Sequence, residues 1–341
     1  MDGCLVVNMM RVSDVGLTVL LFGLWLGASA ALMAPWTLPS VDLGFYGQAL
    51  GIAFILVLVA WLWVARRVVA YTPTVRPIAF PRLGFARTLI GILGAVLALF
   101  AIAFAAHPQL VLVAALSVAA AGLIVLRRSQ VPGRWVGTGL GLGGACLLLS
   151  YLSERLDPFM AFYLTCIPVL FVGGTMLAAA TGAAWVHSAD GDWGKAAAGF
   201  LGGCALALPA ALLNVSGGAH LGDAWVDRPW EPLVALVPGI AEETWARLFM
   251  LTLLYAVLRA ASPDRAGRAL FTAVLIAALV HALAHLPSAM VFSPAALQMG
   301  LAALLFGVPM GLIYARLGFE WAVGYHFFVD FVRFGIALLA P

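Results

Sequence analysis

Charge is what this chain has least of. Asp, Glu, Lys and Arg make up 10% of its 341 residues, where a soluble globular domain carries about a quarter. That scarcity excludes a soluble globular domain. A net charge of +3 says little about partners, and nothing points to nucleic acid. Cysteine is scarce too: Cys4, Cys146, Cys166 and Cys204 show no paired spacing, and the last three lie in apolar segments. This excludes a disulfide framework and thiol chemistry. Internal repeats, low-complexity tracts and long polar domains are also missing.

What the chain has is apolar sequence: 64% hydrophobic residues and a mean hydropathy of +1.06. A bilayer core of about 30 Å needs about 20 apolar residues per helix. The runs predict an all-α polytopic membrane protein with about 11 transmembrane helices: 16–36, 45–65, 84–106, 109–126, 136–152, 159–186, 196–213, 232–258, 269–286, 293–315 and 320–340. Continuous runs exclude a barrel, whose strands alternate over about ten residues.

Basic residues give the orientation. With a cytoplasmic N-terminus the inner segments hold Arg11, Arg66, Arg67, Arg76, Arg82, Arg87, Arg127, Arg128, Arg134, Lys195, Arg259, Arg265, Arg268 and Arg316. Only Arg155 and Arg228 fall outside, and Arg247 and Arg333 lie within spans. This is the asymmetry of the positive-inside rule. Arg11, the following apolar run and Ala28-Ser29-Ala30 imitate a signal peptide. The run continues through Met33 and Trp36, so the first span is read as retained. With no sorting signal for another compartment, a multi-pass protein of the plasma (inner) membrane is expected.

The seven spans before residue 214 carry almost no buried charge, which divides the chain into an N-terminal scaffold of about seven helices (1–213) and a C-terminal bundle (214–341). Glycines such as Gly137, Gly139, Gly141, Gly143 and Gly144 are read as helix packing sites in the scaffold. In the bundle, Glu243 with Arg247, His281 with His285, and His326 with Asp330 are each four residues apart. Each pair projects two polar groups onto one helix face. Ionisable groups in hydrocarbon cost several kcal/mol unless they face a protein-lined interior, so the cluster marks a candidate site.

Pro238-Gly239 is expected to distort its helix just ahead of Glu242 and Glu243. Adjacent carboxylates point about 100° apart, so the two have different jobs. Glu243 can pair with Arg247, and Glu242 is left to face the cavity as a general base. A structural Glu-Arg pair locking two helices is the plain alternative for Glu243. Asp330 can fix the tautomer and orientation of His326, or pair with Arg333 instead. Depth counting sets His285 near the outer face and His326 only six residues into an outward-running span, so their convergence requires a tilt, a displaced boundary or a broken helix.

The series Glu242-Glu243-Thr244-Trp245-Ala246-Arg247, His281-Ala282-Leu283-Ala284-His285 and His326-Phe327-Phe328-Val329-Asp330 resembles the motifs of the CAAX-protease and bacteriocin-processing (CPBP, or Abi) intramembrane endopeptidases, over residues 230–335. The resemblance implies that Glu242 and His285 position and deprotonate a water that attacks a peptide bond of a membrane-associated protein or peptide. His326 and Asp330 would support the developing oxyanion or orient the group that does, with Glu243 and Arg247 behind them. Two positions depart from the pattern. His281 stands where the family has phenylalanine, adding polarity, a ligand or a proton relay. Asp330 stands where asparagine is frequent, and as a carboxylate it orients His326 rather than donating to an oxyanion. Metal-free catalysis is the expectation. The alternative is a zinc ion held by Glu242, His285 and His326, although no His-Glu-x-x-His sequence is present.

Two other functions fit the same residues. Membrane carboxylates and histidines also build the proton relays of transporters, but the repeat architecture common among those proteins is missing. A non-catalytic scaffold or immunity protein of the same family is the third possibility.

Overall fold

The computed structural model describes residues 84–102, 108–286 and 295–339. Among them the chain is helical, without strands. Eight helices are long and apolar enough to cross a membrane: Pro108–Leu126, Gly133–Leu152, Pro158–Thr181, Trp193–Ser216, Glu231–Ala261, Pro263–Ala284, Ala296–Leu317 and Phe319–Leu339. A further helix, Phe85–Ile102, occupies the place of the expected span 84–106. The eight long helices correspond to eight of the eleven expected spans. The first two, and the reading that the first is retained, fall outside the described residues. The protein is a multi-pass membrane protein, all-helical among the described residues.

In chain order the helices are α1 (Phe85–Ile102), α2 (Pro108–Leu126), α3 (Gly133–Leu152), α4 (Pro158–Thr165), α5 (Ile167–Thr181) and α6 (Trp193–Ser216). The expected span 159–186 is two helices with a break at Cys166. Pro168, which has no N–H to continue a helix, falls in the first turn of α5. Asp157 caps α4 by accepting from the Met160 N–H at 2.6 Å, and Asp192 caps α6 by accepting from the Lys195 N–H at 3.1 Å.

The later part holds α7 (Leu236–Glu242), α8 (Thr252–Ala261), α9 (Ala266–Ala284), α10 (Ala295–Ala302), α11 (Val308–Leu317) and α12 (Phe319–Leu339). The span containing Glu242 changes form along its length. It starts as a 3₁₀ turn at Glu231–Ala235, continues as α7, widens to a π-helix over Glu243–Leu251 and ends as α8. Pro238 therefore sits in the first turn of α7, where proline is better tolerated than in a helix interior. The distortion expected at Pro238-Gly239 lies instead on both sides of α7.

Helices α6 and α12 run in the same direction in the closest packing of the molecule. A Cβ at Gly203 would collide with the Trp321 carbonyl oxygen, and one at Gly324 with the Phe200 carbonyl oxygen. Only glycine permits backbones this near. At the start of α12, Glu320 accepts from the Ser188 N–H and hydroxyl, both at 2.8 Å, and the Phe319 N–H donates to the Trp185 carbonyl at 2.8 Å. One hydrophobic core runs from Leu112 to Val323 across both expected parts of the chain.

Candidate active site

Three helical spans converge on one carboxylate. Glu242 ends α7, His281 lies in the last turn of α9, His285 follows immediately after that helix, and His326 is in the second turn of α12. Glu242 Oε2 lies 2.7 Å from His281 Nε2, 3.4 Å from His285 Nε2 and 3.8 Å from His326 Nε2. His285 and His326 converge despite the depth count, both with Nε2 within 3.8 Å of Glu242 Oε2, and α12 packs against α7. Gly239 makes that approach possible: a Cβ there would sit 3.2 Å from the Phe327 nitrogen and 3.3 Å from the Val323 carbonyl oxygen.

Hydrogen-bond chemistry assigns the protons. Arg247 Nη1 lies 3.0 Å from His281 Nδ1. A guanidinium only donates, so Nδ1 accepts, and the proton of His281 sits on Nε2 and points at Glu242. His285 Nδ1 lies 2.9 Å from the His281 carbonyl oxygen. A carbonyl only accepts, so Nδ1 carries the proton, and in the neutral ring Nε2 offers a lone pair beside Glu242. His326 Nδ1 donates to Glu243 Oε1 at 2.9 Å, and its Nε2 lies 3.5 Å from Asp330 Oδ2.

Glu243 and Arg247 pair at 3.1 Å and are essentially inaccessible, at 0% and 1% side-chain exposure. As expected they form an ion pair, and through it Glu243 holds His326 while Arg247 holds His281. Burying two charges costs several kcal/mol each, and mutual attraction with further hydrogen bonds offsets it. His285 is the open edge of the group, with its side chain 39% exposed against 12% for Glu242.

All seven residues singled out from the sequence are brought together: Glu242, Glu243, Arg247, His281, His285, His326 and Asp330. The geometry moves His281 from a supporting place to the nearest imidazole to Glu242, so Glu242 is held rather than free. Sequence reasoning missed two supports. Trp245 packs edge-on against His281 with ring centroids 5.2 Å apart and donates its indole N–H to the Tyr163 hydroxyl at 2.9 Å. Asp223, in the segment ahead of α7, pairs with Arg333 at 2.8 Å. No spacing signal links positions this far apart.

Glu242, His281 and His285 bring donor atoms within 4.8 Å of one another, as a metal site would. His281 does not suit an ion, because Arg247 occupies its Nδ1 lone pair and the proton therefore sits on Nε2. The zinc set expected from the sequence, Glu242, His285 and His326, is not among the groups of described residues that meet this spacing. His285 and His326 each hold their Nδ1 proton on an oxygen, the arrangement typical of metal-bound imidazoles. An ion held by Glu242, His285 and His326, the alternative read from the sequence, would contribute by acidifying a water.

Residues 226–332 match the family described as Type II CAAX prenyl endopeptidase Rce1-like. No curated protein and no solved structure matches the chain. The matched segment contains every residue of the three motifs. The chain is thus a multi-pass membrane protein whose residues 226–332 match the family model of a type II CAAX prenyl endopeptidase, Rce1-like.

Proposed function

We propose that this protein is an intramembrane endopeptidase that hydrolyses a peptide bond of a membrane-associated protein or peptide with a water activated by Glu242. Glu242 and His285 hold the water between them. Glu242 takes its proton as the oxygen attacks the carbonyl carbon, and returns that proton to the amine as the C–N bond breaks. His281 donates to Glu242 throughout and fixes the carboxylate in place. For this step His326 is the imidazolium: Nδ1–H donates to Glu243, and Nε2–H, beside Asp330, faces the oxygen that gains negative charge. Glu243 and Arg247 position the two imidazoles. The reaction is metal-free in this reading, and residues 1–213 serve as a scaffold for the catalytic bundle 214–341. The basic residues orient the protein in the plasma membrane with a cytoplasmic N-terminus.

The observation that carries the reading is the convergence of one carboxylate and three imidazoles, from three separate spans, on a single buried point. Glu242→Gln removes the base with almost no change of shape. It is expected to abolish cleavage of membrane proteins or peptides while the variant melts with the wild type. A Glu242→Gln protein that still cleaves at the wild-type rate overturns the assignment.

A further inference from the structure

The ionic contacts do not stop at the matched segment. Asp330 Oδ2 faces His326 Nε2 at 3.5 Å, while its other oxygen lies 3.3 Å from Arg333 Nη1, one turn further along α12. Arg333 in turn places Nε 2.8 Å from Asp223 Oδ2. Asp223 is fixed by the Trp225 indole, which donates to Oδ1 at 3.2 Å. Trp225 packs edge-on against Phe334 at 5.0 Å, with the Arg155 guanidinium 4.1 Å from its ring centre. A continuous row of polar contacts runs from a segment outside the bundle core to the ring nitrogen of His326. Both Asp223 and Arg333 lie just beyond the limits of the family match.

Charge gives the row its purpose. Glu242, Glu243 and Asp330 all lie within 3.8 Å of the His326 ring nitrogens. Arg247 compensates Glu243, but Glu242 and Asp330 share Nε2. Without a cation of its own, Asp330 would add an uncompensated charge beside the base, a costly arrangement away from water. Asparagine, frequent at this position in the resembling family, carries no such charge. An aspartate therefore needs the guanidinium, and the guanidinium needs an anchor. Arg333 is 28% exposed and Asp223 10%; their contact is an ion pair without hydrogen-bond alignment, and its attraction favours the arginine staying beside Asp330.

We propose that Arg333 and Asp223 are positioning residues of this site, which hold Asp330 against His326 and thereby set the orientation of the His326 ring toward the reacting oxygen. The inference rests on the endopeptidase reading for its effect on rate, and on geometry alone for its effect on His326.

Two measurements on the full-length protein in liposomes test it. The first is solid-state NMR of histidine-¹⁵N-labelled protein, with His326 assigned by loss of its signals in His326→Gln. The His326 Nε2 resonance is expected to move in Arg333→Gln and Asp223→Asn in the direction it moves in Asp330→Asn, and to stay near wild type in Arg333→Lys. A resonance unmoved by both substitutions overturns the proposal without reference to any substrate. The second is cleavage of a prenylated peptide ending in a CAAX sequence. Expected are a fall in kcat of roughly tenfold in each variant, about 1.4 kcal/mol, with KM within about twofold, partial recovery in Arg333→Lys, and a double variant no slower than Arg333→Gln. Wild-type kcat in both single variants, beside an inactive Glu242→Gln, sinks the positioning role and leaves the endopeptidase reading intact. Cleavage by Glu242→Gln at the wild-type rate sinks the reading instead.

Discussion

His326 and Glu243 stand 83 positions apart in the chain and 2.9 Å apart in space, ring Nδ1 to carboxylate oxygen. The same carboxylate oxygen receives Arg247. Glu243 thus orients an imidazole from another span, and the adjacent Glu242 is left to meet His281 and His285. The two neighbouring glutamates do different work because a helix points them in different directions.

Arg247→Ala would leave Glu243 charged, buried and without its cation. Removal of one partner from such a pair costs about 3–5 kcal/mol. A large drop in melting temperature in detergent is expected, together with loss of activity. Melting within a degree of the wild type would show that the pair contributes nothing to folding.

His281→Phe installs the residue that the resembling family carries at this position. Glu242 would lose its shortest hydrogen bond, and a bond to a charged group contributes about 1.5–3 kcal/mol. A fall in kcat of about tenfold or more with little change in KM is expected from steady-state kinetics. Unchanged kcat would make His281 dispensable for holding Glu242.

Gly203→Ala would place a methyl group where the Trp321 carbonyl oxygen now lies. The α6 and α12 backbones would have to separate, and overpacking of this kind costs about 1–3 kcal/mol. Lower thermal stability is expected, whereas Gly141→Ala, where a Cβ meets nothing within 4 Å, is expected to melt with the wild type. Equal melting of the two variants would contradict the close-packed crossing.

Outside the spans, Arg228 lies 2.7 Å from Glu154. The hydrogen bond and charge of the guanidinium hold the Glu154 carboxyl below its ordinary value of 4.5. A carboxyl lowered in the folded state stabilises at pH above its unfolded value, and that contribution disappears as pH falls through the lowered one. Both side chains are largely exposed, so the effect is small. Glu154→Gln is expected to melt slightly below the wild type at pH 7 and level with it at pH 3. A difference that persists at pH 3 would place its origin elsewhere.

Treatment with a strong chelator, followed by metal analysis, separates the two ways that Glu242, His285 and His326 can act. Full activity in metal-depleted protein is expected. Activity lost on chelation and restored by zinc would assign these residues as ligands.

The sequence was informative where chemistry is local. Apolar run length reveals the eight membrane-length helices among the described residues, and the four-residue spacings reveal which ionisable groups share a helix face. Partnership across spans was less legible. Nothing in the spacing told His281 from His285 as the closer neighbour of Glu242, because that depends on Arg247 holding one ring and a carbonyl holding the other. The apparent mismatch in depth between His285 and His326 came from counting residues along straight spans. The span of Glu242 is instead 3₁₀, α and π in turn, and Gly239 lets α12 come close. Tyr163 and Asp223 support the site from far along the chain, through packing that no short motif encodes.

The most direct test of the central claim is a comparison of protein termini, by mass spectrometry, between cells carrying the wild type and cells carrying Glu242→Gln at equal, folded levels. New termini that appear only with the wild type are expected, in proteins or peptides associated with the membrane. Identical sets of termini in the two populations would contradict proteolysis as the activity of this protein.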